Sequence, residues 1–101
     1  MKKAIQIDER DNVATMTSDV IKDEEIEVLS PKGDVILKAK PLEDIIFGHK
    51  ISLKNIETKE NIIKYGEILG VSSKPIKQGE WVHTHNLESG RLPTSKLGEN
   101  A

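Results

Sequence analysis

Trp81-Val82-His83-Thr84-His85-Asn86 is the stretch around which the fold of this 101-residue chain is organised. It contains two of the three histidines and the only tryptophan. If the stretch is extended, alternate side chains point to opposite faces, so that His83 and His85 project from the same face. Two neighbouring imidazoles can bind a metal ion or an anionic substrate, but they can also be ordinary surface histidines.

Length and composition predict one small, mainly β domain. A chain of 101 residues can bury a modest core but cannot also enclose a deep active site of its own. The core must be aliphatic because aromatic residues make up only 3% of the chain, and abundant isoleucine favours sheet. The net charge of −2 provides no basic surface, so we expect no nucleic-acid partner.

The same sequence indicates a cytoplasmic location. The chain has no cysteine, which excludes disulfides and thiolate chemistry and fits a reducing compartment. The N-terminal residues become polar after Ile7, too early for a signal peptide, and no window is apolar enough to span a membrane. We therefore expect a soluble cytoplasmic protein without a membrane partner.

Alternating apolar runs and polar turns predict two β-hairpins in the first forty residues. The first joins residues 4–7 and 13–17 through an Asp/Asn-rich turn. The second joins residues 26–29 and 35–39 through Pro31-Lys32-Gly33-Asp34. Shorter elements follow: a helical turn or a loop over 42–47, a brief turn of helix over 53–56, and strands over 62–66 and 68–71.

A faint internal repeat with an offset of 20 residues lies in the second half. Residues 55–66 can be laid over 75–86, so that Ile56 matches Ile76, Glu60 matches Glu80, Ile62 matches Val82, and Tyr65 falls where His85 does. If it is real, each copy is a turn that enters a strand. The pattern ends after the second copy, which predicts a domain over residues 1–90 and a flexible C-terminal tail over residues 91–101.

Several side chains could carry chemistry: Gly48-His49-Lys50, Lys64-Tyr65-Gly66, His83-Thr84-His85 and Asn86. Each alone fits a solvated surface position, and Tyr65 and Trp81 also fit the core. Together they suit a polyhydroxylated acid, since imidazole can ligate Fe²⁺ or exchange a proton, lysine can hold a carboxylate, and tyrosine or asparagine can bind hydroxyls. No Asp or Glu lies within the histidine cluster, so a full metal site would need His49 or a ligand from another chain.

Three motifs in order resemble one family. Gly48-His49-Lys50-Ile51-Ser52-Leu53, Ile63-Lys64-Tyr65-Gly66-Glu67-Ile68-Leu69-Gly70 and Gly79-Glu80-Trp81-Val82-His83-Thr84-His85-Asn86-Leu87 look like the N-terminal domain of the altronate/galactarate dehydratase family. The resemblance covers roughly residues 4–90. It implies the SAF superfamily and its compact β-clip fold, with short helical turns.

The resemblance also implies a function. Members are lyases that remove water from sugar acids, commonly with a requirement for iron, and this domain usually precedes a much larger catalytic region. The expected function is the small subunit of a hydro-lyase of the altronate dehydratase type, giving a 2-keto-3-deoxy acid. It would depend on Fe²⁺ and be inactive without a large catalytic subunit. The alternatives are the small subunit of a sulfolactate sulfo-lyase and a non-catalytic SAF module that binds carbohydrate or protein.

The residues of this chain that match the motifs receive expected roles. The expected catalytic residues are His49, His85 and Tyr65; the expected substrate-binding residues are Lys50, Lys64, Gly66 and Asn86; the expected metal ligands are His83 and His85. Convergence of the three imidazoles would favour an enzyme subunit, and wide separation would favour a binding module.

Overall fold

The computed structural model describes residues 1–89, and every regular element in that part of the chain is a β-strand. The strands are β1 (Lys2–Ile5), β2 (Val13–Met16), β3 (Ile26–Leu29), β4 (Val35–Ala39), β5 (Lys50–Ser52), β6 (Asn61–Lys64), β7 (Glu67–Ser72), β8 (Trp81–Val82) and β9 (Leu87–Ser89). The mainly β fold class is confirmed. The predicted tail over residues 91–101 lies outside the described residues.

The predicted helical turns do not form within residues 1–89. Residues 42–47 form a loop, which was the alternative to a helical turn, and residues 53–56 form a bend. The reason is that Ile45 and Ile56 each pair with a residue distant in the chain, Val20 and Ile76 respectively, across isolated β-bridges.

The strands form a six-stranded sheet in the order β4-β3-β1-β2-β5-β8 and a three-stranded sheet in the order β6-β7-β9. Both predicted hairpins are confirmed, since β1 pairs antiparallel with β2, and β3 with β4. The sequence did not predict that β1 and β3 lie side by side in parallel, which joins the two hairpins into one sheet.

The core is aliphatic, as predicted, and has two parts. Because successive residues of a strand face opposite sides, β2 sends Ala14 and Met16 into one cluster and Val13 into the other. Phe47 and Tyr65 are 67% and 60% exposed, so neither ring belongs to the core. The first cluster comprises Ala4, Ala14, Met16, Val20, Ile26, Val28, Ala39, Ile45 and Ile51; the second comprises Val13, Ile56, Ile62, Ile76 and Val82.

One tight turn occurs four times within residues 1–89, over residues 21–24, 46–49, 57–60 and 77–80. In each, the amide of the fourth residue donates to the carbonyl of the first, over 3.0–3.2 Å. The third residue has a positive φ, as a type II turn requires: Asp23 (70°), Gly48 (85°), Lys59 (73°) and Gly79 (91°).

These turns form two pairs, because the buried residue before each turn bridges to its counterpart: Val20 to Ile45 and Ile56 to Ile76. The predicted repeat is therefore confirmed in its second-half copies. The first pair of turns does not follow the 20-residue offset, so the sequence repeat does not reveal it.

Asp11 attaches the β6–β7 hairpin to the six-stranded sheet. Its buried carboxylate accepts hydrogen bonds from the amides of Tyr65 (3.1 Å) and Gly66 (2.8 Å) at the hairpin tip, and from the amide of Asp8 (3.0 Å) in its own loop. Tyr65 and Gly66 both have positive φ, at 57° and 72°, the geometry of a type I′ hairpin turn. Asn12 adds side-chain bonds to the amide of Ile63 and the carbonyl of Asn61, both 2.8 Å.

Candidate active site

The three histidines meet around Trp81. The ring centroid of Trp81 lies 5.6 Å from that of His49, 5.2 Å from that of His83 and 5.1 Å from that of His85. The His49 and His83 centroids are 5.2 Å apart. His49 ends the turn over residues 46–49, and Trp81 lies on the neighbouring edge strand, where it pairs with Ile51. We call His49, Trp81, His83 and His85 the imidazole cluster.

His83 and His85 reach Trp81 from a turn and not from the extended strand considered above. β8 ends at Val82, and residues 83–86 turn into β9. The amide of Asn86 donates to the carbonyl of His83 (3.1 Å), while the amide of His83 donates to the side-chain oxygen of Asn86 (2.9 Å). The turn places His83 flat against the indole, at 14° to its plane, and His85 at 50°.

Asn86 supports this turn from inside the protein. It is fully buried, and its side-chain nitrogen donates to the carbonyl of Trp81 over 2.8 Å. Both functional atoms of its amide are thus used within the chain. Its contact with substrate stays a prediction, and the structure gives this amide a role in holding the turn, with one N–H and the oxygen bonded within the chain.

The cluster lies on an open surface, with His49, Trp81 and His83 half-buried and His85 exposed. The indole N–H of Trp81 donates to Nδ1 of His49 over 3.2 Å. A cleft of about 410 Å³ lies elsewhere, lined by Ile7, Asp8, Glu9, Arg10, Pro31 and Lys32. The imidazoles are therefore displayed on a surface, and they are suited to proton exchange and hydrogen bonding with a ligand held there.

The described residues do not form a complete metal site. No three His, Cys, Asp or Glu side chains within residues 1–89 are arranged to hold a metal ion. His83 and His85 can supply at most part of a ligand set, and His49 already uses Nδ1 to accept from Trp81. The residues present do not fit an iron centre by themselves.

Lys50 and Lys64 form a second polar group with Tyr65. Lys50 pairs with Val82 while the adjacent Ile51 pairs with Trp81, so Lys50 lies on the opposite face of the sheet from the indole. Burial, and then the nearby charge of Lys64, lower the pKa of the Lys50 ammonium. The Lys64 ammonium lies 4.9 Å from the centre of the Tyr65 ring.

The two lysines form a site suited to an anion. Neither forms a salt bridge with a carboxylate of residues 1–89. Thr15, the cross-strand partner of Lys50, has a buried hydroxyl without a hydrogen-bond partner in the same part of the chain. Two neighbouring ammonium groups without a carboxylate partner among the described residues are suited to bind a carboxylate.

Replacing Lys50 by methionine is expected to raise the free energy of unfolding at neutral pH. The lowered pKa of Lys50 means that the folded state disfavours its charged form. That cost is fully present at low pH and disappears as pH rises from the folded pKa towards the unfolded one, because the unfolded chain binds more protons in that window. Urea unfolding at neutral and alkaline pH should show a gain at neutral pH that shrinks at alkaline pH, and Lys77→Met, at an exposed lysine, should show neither.

Gly66 has a structural role in the hairpin tip. A Cβ at this position would lie 2.5 Å from Nη2 of Arg10 and 2.8 Å from Oδ2 of Asp8. Arg10 binds Asp8 in an ion pair of 2.9 Å and lowers the pKa of that carboxyl to about 2. The contact of Gly66 with substrate stays a prediction, and the side of the glycine where a Cβ would lie is covered by Asp8 and Arg10.

The structure thus brings His49, His83 and His85 together, and Lys50 with Lys64 and Tyr65. Sequence reasoning missed three contributors: Asp11, Thr15 and the hydrogen bond that Trp81 makes to His49. The Asp11-Asn12 pair after an apolar run signalled only a turn. The buried hydroxyl of Thr15 and the hydrogen bond from the indole of Trp81 could be predicted only from the register in which the strands pair.

The fold and the imidazole cluster define a compact β domain of the SAF type, the class that the sequence predicted. The chain belongs to the altronate/galactarate dehydratase SAF domain family, whose profile matches residues 2–90. No helix in the described residues is long and apolar enough to cross a membrane.

Its relatives are lyases. The chain is 36% identical over 89 residues to altronate dehydratase of Bacillus subtilis (strain 168), covering 88% of this chain and 17% of that protein. It is 35% identical over 85 residues to altronate dehydratase of Escherichia coli (strain K12), covering 84% of this chain and 16% of that protein. It is 39% identical over 64 residues to (2R)-sulfolactate sulfo-lyase subunit alpha of Paracoccus pantotrophus, covering 63% of this chain and 92% of that subunit.

Proposed function

We propose that this chain is the small subunit of a sugar-acid hydro-lyase of the altronate dehydratase type, which forms a 2-keto-3-deoxy acid together with a large catalytic subunit. The observation that carries the proposal is the convergence of His49, His83 and His85 on one surface around Trp81. A chain that only binds carbohydrate or protein has no need of three imidazoles gathered around one indole. Membership of the dehydratase family supports the same reading.

Dehydration of a 2,3-dihydroxy acid sets three chemical tasks. A base removes the proton beside the carboxylate, positive charge or hydrogen-bond donors stabilise the enediolate, and an acid protonates the departing hydroxyl. In this proposal His85, which is exposed, exchanges a proton, and Tyr65 donates to a substrate hydroxyl. Lys50 lies on the face of the sheet opposite the indole, so in this proposal the substrate carboxylate beside the imidazole cluster is held by groups of the large subunit, and Lys50 and Lys64 form a separate site for an anion.

Iron, if the enzyme uses it, would supply Lewis-acid stabilisation of the enediolate. His83 and His85 are the residues of this chain that would hold it, together with ligands from the large subunit, and in that case the proton would be exchanged by a group other than His85. This part of the proposal rests on the family resemblance alone.

The second candidate is the small subunit of a sulfolactate sulfo-lyase. It is favoured by the match to a subunit alpha of which this chain covers 92%. The chemistry is closely related, because a proton is again removed beside a carboxylate, while sulfite leaves the neighbouring carbon in place of a hydroxyl. The same imidazoles could serve both reactions, so the substrate must be determined directly.

An exposed apolar face beside the imidazole cluster supports a large partner. Ile21, Ile46 and Phe47 lie in the first pair of turns and are 56–67% exposed. The equivalent positions in the second pair are polar, namely Glu57, Lys77 and Thr58. The turn itself therefore does not require apolar side chains there, and His49 ends the same turn as Ile46 and Phe47.

Replacing Phe47 by glutamine is expected to weaken binding of the large subunit about 10- to 100-fold, because burying a phenylalanine contributes about 1.5–3 kcal/mol. The ring is 67% exposed in the free chain, so the stability of that chain should hardly change. Titration by isothermal calorimetry measures the affinity. Thr58→Ala, at the equivalent turn position, is the control and should bind as the wild type does; equal binding by Phe47→Gln would exclude this face from the interface.

The test of function mixes the full chain with the large lyase subunit from the same genome, with and without Fe²⁺, and assays a panel of sugar acids and sulfolactate. Formation of a 2-keto-3-deoxy acid that requires both proteins is expected. Pyruvate and sulfite from sulfolactate alone would establish the second candidate. A genome without a gene for such a subunit, or a large subunit equally active alone, would overturn both.

A further inference from the structure

His49 occupies a position where the fold otherwise uses glutamate. The fourth residue of the repeated turn is Glu24, Glu60 and Glu80 in the other three copies. Each of these carboxylates accepts a hydrogen bond from the amide of the first residue of its own turn, over 3.2, 2.9 and 2.8 Å respectively. Glutamate is thus the residue that stabilises this turn by a side-chain hydrogen bond. The imidazole of His49 contacts Trp81 instead.

That imidazole is held by Trp81. The indole N–H can only donate, so Nδ1 of His49, which accepts it over 3.2 Å, must be the unprotonated nitrogen. The ring proton of neutral His49 is therefore on Nε2. Trp81 is itself fixed, since its backbone amide donates to the carboxylate of Glu43 over 3.1 Å and His83 stacks on its ring.

We propose that Trp81 is a positioning residue that fixes His49 as a neutral Nε2–H donor, and that this donor stabilises the negative charge developing on a substrate oxygen. The catalytic part of this inference rests on the proposed function. A neutral imidazole fixed in one tautomer polarises an oxygen by donating a hydrogen bond to it and need not exchange a proton. The base is then a different group, His85 or a residue of the large subunit.

The structural half is tested on the full chain labelled with ¹⁵N. At a pH where the imidazoles are neutral, a scalar coupling through the hydrogen bond should connect Nε1 of Trp81 with Nδ1 of His49. Long-range ¹H–¹⁵N spectra should show His49 in the Nε2–H form alone, and Trp81→Phe should give a mixture of tautomers. Absence of the coupling, or a proton on Nδ1 of wild-type His49, would overturn the proposal without any enzyme assay.

The catalytic half of the proposal is tested in the assembled enzyme with two variants that carry an amide side chain at position 49, His49→Gln and His49→Asn. Glutamine at position 49 places an N–H near the former Nε2, whereas asparagine is too short to do so. His49→Asn is expected to lower kcat about 10²- to 10³-fold, and His49→Gln to lose less than about tenfold. Equal losses of about 10²- to 10⁴-fold in both variants would mean that His49 exchanges a proton. An inactive wild-type complex would refute the proposed function, while the spectra would still decide the tautomer.

Discussion

Replacing Asp11 by alanine should lower the free energy of unfolding by about 4.5 kcal/mol or more, because a hydrogen bond to a charged acceptor contributes about 1.5–3 kcal/mol and this carboxylate accepts three. Two of the three attach the tip of the β6–β7 hairpin, at Tyr65 and Gly66. The substitution should therefore lower the stability of the whole domain and, in addition, loosen the tip of the β6–β7 hairpin. Urea unfolding measures the first effect, and amide hydrogen exchange at Tyr65 and Gly66 measures the second.

Asp34→Ala is the matched control for Asp11→Ala. Asp34 is an exposed aspartate in the turn between β3 and β4, and its loss should change stability by less than about 0.5 kcal/mol. If Asp11→Ala unfolds at the same urea concentration as this control, the carboxylate does not hold the hairpin. The consequence for function is direct, because the same hairpin carries Lys64 and Tyr65.

The second large effect is expected at Gly79, where alanine should lower the free energy of unfolding by about 2–5 kcal/mol. The φ of +91° costs an L-residue roughly 1–2 kcal/mol. The new Cβ would also lie 2.6 Å from the backbone oxygen of Lys40, an overpacking that costs about 1–3 kcal/mol. The backbone oxygen of Lys40 cannot rotate away from the new Cβ as the end of a side chain could. The clash must therefore distort the turn over residues 77–80.

Gly48 provides the control within the same fold. It occupies the equivalent position of another copy of the turn, with a φ of +85°, but a Cβ there would meet nothing within 4 Å. Gly48→Ala should therefore cost only the backbone term, about 1–2 kcal/mol. Thermal or urea unfolding of both variants separates backbone strain from steric contact, and equal losses would show that the contact with Lys40 contributes nothing.

The sequence predicted most of the fold because local signals were strong. Alternating apolar residues around polar turns identified both hairpins, and the scarcity of aromatic residues predicted an aliphatic core. The parallel pairing of β1 with β3 was not predictable in the same way, since no local pattern specifies which strands of two hairpins become neighbours. Residues 83–86 were considered as a strand because alternation alone does not reveal that Asn86 would turn inward to close a turn.

The site was predicted in part for a similar reason. The coincidence of histidines, glycines and one tryptophan in the second half indicated that His49, His83 and His85 could meet, and they do. The imidazoles and lysines, which the sequence predicts to bind one polyhydroxylated acid together, lie on two faces in the structure, because the register of β5 with β8 sends Lys50 to the face opposite Trp81. A shift of one residue in the pairing of two strands moves each side chain to the other face of the sheet. The pairing is set by contacts between residues distant in the chain, which local sequence does not reveal.

The fourfold turn gives this small domain redundancy. Its conformation depends on a buried residue before the turn and on a third residue that tolerates positive φ. The first position can differ, since it is apolar in both turns of the pair that carries His49 and charged in both turns of the other. The scaffold of this domain and the chemistry displayed on its turns are therefore separable, so that the surface can be altered without altering the backbone.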